Sequence, residues 1–218
     1  MSGHVTHNLV TAEEGLQRLK AGNERFLKGT ACLPTIRKDV LAALAKEQRP
    51  YATIIGCSDS RVPPELLFDA DFGELFVIRI AGNVLSPEIA GTLQYAGMHL
   101  RTPLYVVLGH EGCGAVQAAV ELKFRNARKE SRVELLLQSI LTCLDGIDPL
   151  AEPKVQLARA VEANVRWTMR KIAESPEGCK RVAEGGYKLA GAVCDIETGR
   201  VRFLESMHVS RLGHTVGE

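Results

Sequence analysis

Apolar residues along the chain change spacing several times, and each change marks an element. Leu16, Leu19, Phe26 and Leu27 recur at the three-to-four-residue interval of a helix with one buried face, and Thr11 followed by Glu14 is the capping-box pair that opens such a helix. A second helix is expected over Lys38–Glu47, ending before Pro50. The pattern then shortens: Ala52–Gly56 is an apolar, β-branched run without polar alternation, as a strand covered on both faces requires. Leu75–Ile80 and Leu104–Leu108 repeat that character. Between them Ser86-Pro87-Glu88 supplies a cap, a proline at the first helical position and an acidic first turn, leading into Ile89, Leu93, Tyr95, Ala96 and Leu100. Further helices are predicted over Ala115–Lys123, Val133–Leu144 and Val155–Ile172. Near the end, Lys188–Cys194 and Val201–Leu204 flank the turn Glu197-Thr198-Gly199-Arg200, which reads as a hairpin.

Strands alternating with helices imply an α/β fold: a mostly parallel central β-sheet flanked by helices, with an antiparallel C-terminal edge strand and a helical N-terminal arm. With 218 residues, 45% of them hydrophobic, one core suffices, and a single domain over 1–218 is expected, residues 1–50 forming the arm and 51–205 the α/β core. Lys and Arg total 27 against 26 Asp and Glu, so the overall charge gives no reason to expect nucleic acid or an anionic membrane as partner, and a small molecule is expected instead. No apolar run approaches the roughly 20 residues that cross a bilayer. Met1-Ser2-Gly3-His4 lacks the order of a secretion signal, so the expected location is cytoplasmic.

Six cysteines in such a chain point to thiols or metal ligands rather than a disulfide framework. Cys143, Cys179 and Cys194 fall in helical or strand patterns and read as small buried hydrophobes, and Cys32 as a loop residue of no evident purpose. Cys57 and Cys113 differ. Cys57-Ser58-Asp59-Ser60-Arg61 follows the first strand directly, and Gly109-His110-Glu111-Gly112-Cys113-Gly114 follows the third, so both stretches fall where open parallel sheets place ligands. Cys57, His110 and Cys113 make the Cys₂His set that zinc uses in catalytic sites, with a fourth position open. Asp59 is the next candidate ligand for it, and Arg61 stands where it can hold that carboxylate away. Gly112 and Gly114 bracket Cys113 with residues of free backbone angle. Each motif alone also reads as packing or loop polarity; their coincidence at neighbouring strand ends favours a metal.

These residues, with Gly22-Asn23-Glu24-Arg25-Phe26, Gly73–Val77 leading to Arg79, Ala81-Gly82-Asn83 and Gln94-Tyr95-Ala96, resemble the β-class carbonic anhydrases in order and spacing. The resemblance covers about residues 15 to 205 and is weakest around Phe124–Pro153. It implies an enzyme with one Zn²⁺ per subunit that reversibly hydrates carbon dioxide to bicarbonate and a proton, built as a homodimer or homotetramer with sites at subunit boundaries. It assigns Cys57, His110 and Cys113 as metal ligands and Asp59 with Arg61 as the catalytic dyad that orients the attacking hydroxide. In one group of the family Asp59's counterpart can instead swing onto the metal and close the site. That group carries a tryptophan where Ile54 stands and a tyrosine where Cys194 stands, so the open form is expected here. Gln48, Phe76 and Tyr95 match substrate-pocket positions of the open group, and Gly114 is expected to offer a backbone N–H to substrate oxygen; the small Ala81 departs from the pattern. His99 and His208 are candidate proton relays. Two thiolates cancel the charge of the ion, so activity is expected to rise into the alkaline range. Hydrolysis of carbonyl sulfide or carbon disulfide on the same scaffold, a closed structural zinc site, and a thiol redox sensor stay open as alternatives, the last disfavoured because the chain has no Cys-x-x-Cys.

Overall fold

The computed structural model describes residues 10–32, 41–42, 44–126, 131–183, 187–204 and 207–208. Its sheet contains the strands β1 (Ala52–Gly56), β2 (Leu75–Arg79), β3 (Leu104–His110), β4 (Lys188–Cys194), β5 (Val201–Phe203) and β6 (Met207–His208). The spatial order is β2-β1-β3-β4-β5, with β6 also on β4. β1 pairs in parallel with β2 and β3, β3 in parallel with β4, and β5 and β6 run antiparallel to β4. This is the expected mixed α/β sheet.

Every residue of β1, β3 and β4 is buried, which explains their unbroken apolar sequence. Because side chains alternate across a strand, Ile55, Val107 and Leu189 face one layer, and Ile54, Val106 and Ala190 face the other. The first layer is closed by α3 (Pro87–Tyr95), α4 (Gly114–Arg125), α5 (Arg132–Leu141) and α6 (Pro153–Glu174). The second is closed by α1 (Ala12–Leu27) and α2 (Pro64–Leu67).

α1 begins as its sequence predicts, with the Glu14 N–H donating to Thr11 Oγ1 and the Thr11 N–H donating to Glu14 Oε2. Its buried Asn23 ties the arm down: Nδ2 donates to the carbonyls of Leu67 and Gly199, and Oδ1 accepts from the Val201 N–H. Of the expected second helix, Lys38–Val40 and Ala43 lie outside the described residues; Leu41, Ala42 and Leu44 are helical, and the helix gives way to a turn at Ala45 and Lys46, before the expected end at Glu47. α3 starts at the Ser86 cap, but from Ala96 to Leu100 the helix widens into a π-type turn. α6 starts two residues before Val155, because Pro153 occupies its first turn and the Glu152 carboxylate accepts from the Val155 N–H. The hairpin turn is fastened by Asp195, whose carboxylate accepts from the Glu197 N–H and the Thr198 hydroxyl.

Three further features depart from the sequence reading. β3 runs on through Gly109 and His110 instead of ending at Leu108. A helix α7 (Pro176–Ala183) follows α6 after a break at Ser175, whose hydroxyl accepts from the Gly178 N–H. Cys179, on that helix, is exposed and fills no core position; Cys194 is buried and Cys143 half-buried. Among the described residues no helix is long and apolar enough to cross a membrane.

Candidate metal centre

Cys57 follows β1, His110 closes β3, and Cys113 caps the start of α4, so the neighbouring β1 and β3 deliver all three side chains to the carboxyl end of the sheet. Their donor atoms lie within 4.8 Å of one another, the two sulfurs 3.9 Å apart, and all three residues are buried. The turn between His110 and Cys113 uses Gly112 at φ 63°, whereas Gly114 sits at the head of α4 outside the left-handed region, so only one of the two glycines uses its freedom.

His110 Nδ1 is engaged by the Glu111 carbonyl at 2.9 Å, which fixes the ring and makes Nδ1 the protonated nitrogen. Nε2 is left buried with no hydrogen-bond partner, grouped with the two sulfurs. A buried polar atom without a partner costs about 1–3 kcal/mol. A divalent cation would repay that cost, and two thiols with one imidazole are a donor set zinc accepts. The residues fit a zinc ion.

The electrostatics of the cluster run the same way. The Cys57 thiol is pulled down, chiefly by hydrogen bonding with Cys113 and also by the N–H groups of Gly82 and Asp59, against the burial that opposes it. Cys113 is pushed up by that thiolate and by burial, so one proton stays with the pair. Burial works against the His110 imidazolium, but the charge of the neighbouring Cys57 thiolate, with the Glu111 carbonyl and Asp59, outweighs it and raises the ring's pKa. Metal binding to such a cluster displaces protons and is therefore pH-dependent.

Asp59 lies beside this group, with Oδ2 3.8 Å from His110 Nε2. Arg61 holds it in a fork, Nε to Oδ1 at 2.9 Å and Nη2 to Oδ2 at 2.8 Å, and the Arg61 N–H adds a third bond to Oδ1 at 3.0 Å. Those bonds keep the carboxyl well below the usual carboxylate range. Asp59 is thus within reach of the cluster, yet its oxygens are engaged by the guanidinium.

Three residues that sequence reasoning gave no role brace the centre. Arg79, the polar end of β2, donates from Nε to the Cys57 carbonyl at 2.9 Å and from Nη2 to the Asp59 carbonyl at 2.5 Å. Gly82 donates its N–H to Cys57 Sγ at 3.4 Å. Asn164 on α6 donates from Nδ2 to the Gly82 carbonyl at 2.8 Å and so anchors that turn. A signal for Asn164 existed: it is a polar residue on the buried face of α6, between Ala160, Val161 and Thr168.

The expected pocket residues are placed unevenly. Phe76 on β2 packs against the core layer that contains Cys57 and Cys113. Tyr95 is 47% exposed, its ring 6.2 Å from Phe76 and 4.8 Å from His99, so it is not a core aromatic. Gln48 is exposed before β1, and among the described residues no hydrogen bond joins it to the centre. The side chain of His208 lies outside the described residues. Ile54 is fully buried, and Cys194 pairs in register with His110.

The sequence model described as carbonic anhydrase matches residues 52–201. Carbonic anhydrase 2 of Mycobacterium tuberculosis is 36% identical over 202 residues, covering 91% of this chain and 94% of that protein. Among solved structures, Coccomyxa β-carbonic anhydrase in complex with acetazolamide superposes with a TM-score of 0.72 at 27% identity, over 88% of each chain. One of two tetrameric β-carbonic anhydrases from Sordaria macrospora superposes with a TM-score of 0.70 at 27% identity, covering 77% of this chain and 87% of that one.

Proposed function

The chain belongs to the β-class carbonic anhydrase family, and from that premise we propose that it is a zinc enzyme interconverting carbon dioxide and water with bicarbonate and a proton. Cys57, His110 and Cys113 hold the metal in this reading. The observation that carries it is the buried, unpartnered Nε2 of His110 beside two buried sulfurs. Zinc bound there would supply a Lewis acid that makes water nucleophilic, the two thiolates shifting this into the alkaline range.

The protein's own groups would do the rest. Asp59, kept ionised by Arg61, is too weak a base to take a proton outright at neutral pH; it accepts a hydrogen bond and thereby aims a lone pair of the nucleophile at the substrate carbon. Three N–H groups of Arg61 fix the carboxylate's rotamer, while Arg79 fixes the backbone that carries it. Phe76 and Tyr95 furnish apolar surface for carbon dioxide. The Gln48 amide and the Gly114 N–H steady the oxygens as bicarbonate forms. The Arg61 fork also supports the open reading over a closed zinc site, since it draws Asp59 towards itself. The active unit is proposed to be a homodimer or homotetramer, by likeness to the tetrameric relatives of Sordaria macrospora.

Stopped-flow hydration of carbon dioxide, with zinc-loaded and chelator-stripped protein and with carbonyl sulfide in parallel, tests the assignment. Zinc-dependent hydration of carbon dioxide, with one zinc per chain by elemental analysis, is expected. Equal activity after stripping, or turnover of carbonyl sulfide alone, would overturn it.

A further inference from the structure

Asn164 is 1% exposed, on a helix face that also buries Ala160, Val161, Val165 and Met169. Its Nδ2 donates to the Gly82 carbonyl at 2.8 Å, while Oδ1 is buried with no hydrogen-bond partner among the described residues. A buried amide paired at one end only gains at the nitrogen about what it loses at the oxygen, so for stability alone an apolar side chain of the same size serves as well. What the bond holds in place is the better account of it. The N–H of the same Gly82 donates to Cys57 Sγ at 3.4 Å. Its two peptide planes hinge at a glycine, which has little conformational preference of its own, so an anchor on the carbonyl plane restrains the N–H plane as well. The other backbone donor to that sulfur, the Asp59 N–H, lies two residues from Cys57 in the chain and needs no such anchor. An N–H aimed at a thiolate draws electron density from the sulfur, and hydrogen bonds of this kind tune how a cysteine ligand serves its metal.

We propose that Asn164 is a positioning residue of the metal centre: by holding the Gly82 carbonyl it keeps the Gly82 N–H on Cys57 Sγ, and so sets how strongly that sulfur donates to the ion and how tightly the ion is kept. This role rests on the reading of the centre as a zinc site.

Cobalt(II) is the probe, because its thiolate charge-transfer absorption in the near ultraviolet reports sulfur donation directly. Asn164→Leu keeps the volume and removes the amide. Its charge-transfer band should move to lower energy than the parent's, and cobalt and zinc should bind on the order of tenfold more weakly against a competing chelator. Asn164→Ala repeats both measurements should the leucine variant fail to fold. Met169→Ala is the control for mere loosening: Met169 is buried on the same face of α6 but lies against Gly191, so its loss should weaken the protein towards urea and leave band and affinity at the parent's values. An Asn164 variant with the parent's band and affinity, or a Met169→Ala protein in which both move as far, would overturn the inference and leave the zinc reading standing. A parent protein that binds neither cobalt nor zinc would overturn that reading and the inference with it.

Discussion

Replacing Gly82 by alanine tests the turn that sets a hydrogen bond on Cys57. Gly82 adopts φ 70°, and a Cβ built there would lie 2.9 Å from Ile140 Cδ1 and 3.2 Å from the Ala115 Cβ. The left-handed conformation costs an L-residue about 1–2 kcal/mol. Overpacking a filled core typically adds about 1–3 kcal/mol, at the lower end when, as with Ile140 Cδ1, the obstacle is the tip of a flexible side chain. The total is about 3 kcal/mol of lost stability. Relief of the overlap also carries the Gly82 N–H away from Cys57 Sγ, so metal retention should fall as well. Gly91 provides the control: exposed on α3, it has nothing within 4 Å of an added Cβ, and Gly91→Ala should stabilise by about 0.4–1 kcal/mol. Urea unfolding of the zinc-loaded proteins at one fixed concentration, followed by metal retention against a competing chelator, reads both effects. A Gly82→Ala protein as stable as the parent and as slow to lose metal would refute the assigned turn.

Asp59→Ala should keep its zinc and lose on the order of 10²-fold in carbon dioxide hydration, measured by stopped flow at saturating metal; full turnover would remove Asp59 from the mechanism. Arg61 depresses the Asp59 pKa below its unfolded value of about 3.9, so the pair's stabilisation is complete above about pH 4 and is lost as pH falls further. Arg61→Met should therefore flatten the acid side of a stability–pH curve. At neutral pH it should change stability little, because the guanidinium is 54% exposed and solvent screens the pair; an unchanged acid limb would contradict the pairing. Burial pushes Cys143 up to about 12 and Cys194 up to about 11, while Cys32 and Cys179 are exposed. Zinc-loaded protein should thus show two fast thiols with Ellman's reagent at mildly alkaline pH, Cys57 and Cys113 reacting only after chelation; a third fast thiol before chelation would argue against metal cover.

Much of the fold could be read from the chain because its central strands are covered on both sides. Unbroken apolar runs at Ala52–Gly56 and Leu104–Leu108, separated by capped helices, leave few arrangements other than a parallel sheet. The candidate ligands could be read for a related reason: cysteine and histidine directly after such runs are chemically out of place. Hidden were the interactions that depend on tertiary approach. Nothing local says that Arg79 turns back onto the carbonyls of Cys57 and Asp59, or that Asn164 reaches Gly82 from a helix far along the sequence. The π-type turn after Tyr95 escaped because its composition suits an α-helix; α7 was overlooked although Ser175-Pro176-Glu177 repeats the cap-proline-acid start of Ser86-Pro87-Glu88. Cys179 was misjudged because helical periodicity alone does not say which face is covered.

The placement of the donors on two strands brought together only by sheet pairing bears on how the chain matures. His110 and Cys113 are close in sequence and can chelate weakly in a collapsed coil, whereas Cys57 joins them only once β1 has docked beside β3. Tight capture of the ion must then trail the slow, non-local step of assembly. Metal supplied at the outset of refolding would accordingly guard the finished product without hastening its formation, and the moment of tight uptake would serve as a clock for the closing of the sheet's centre.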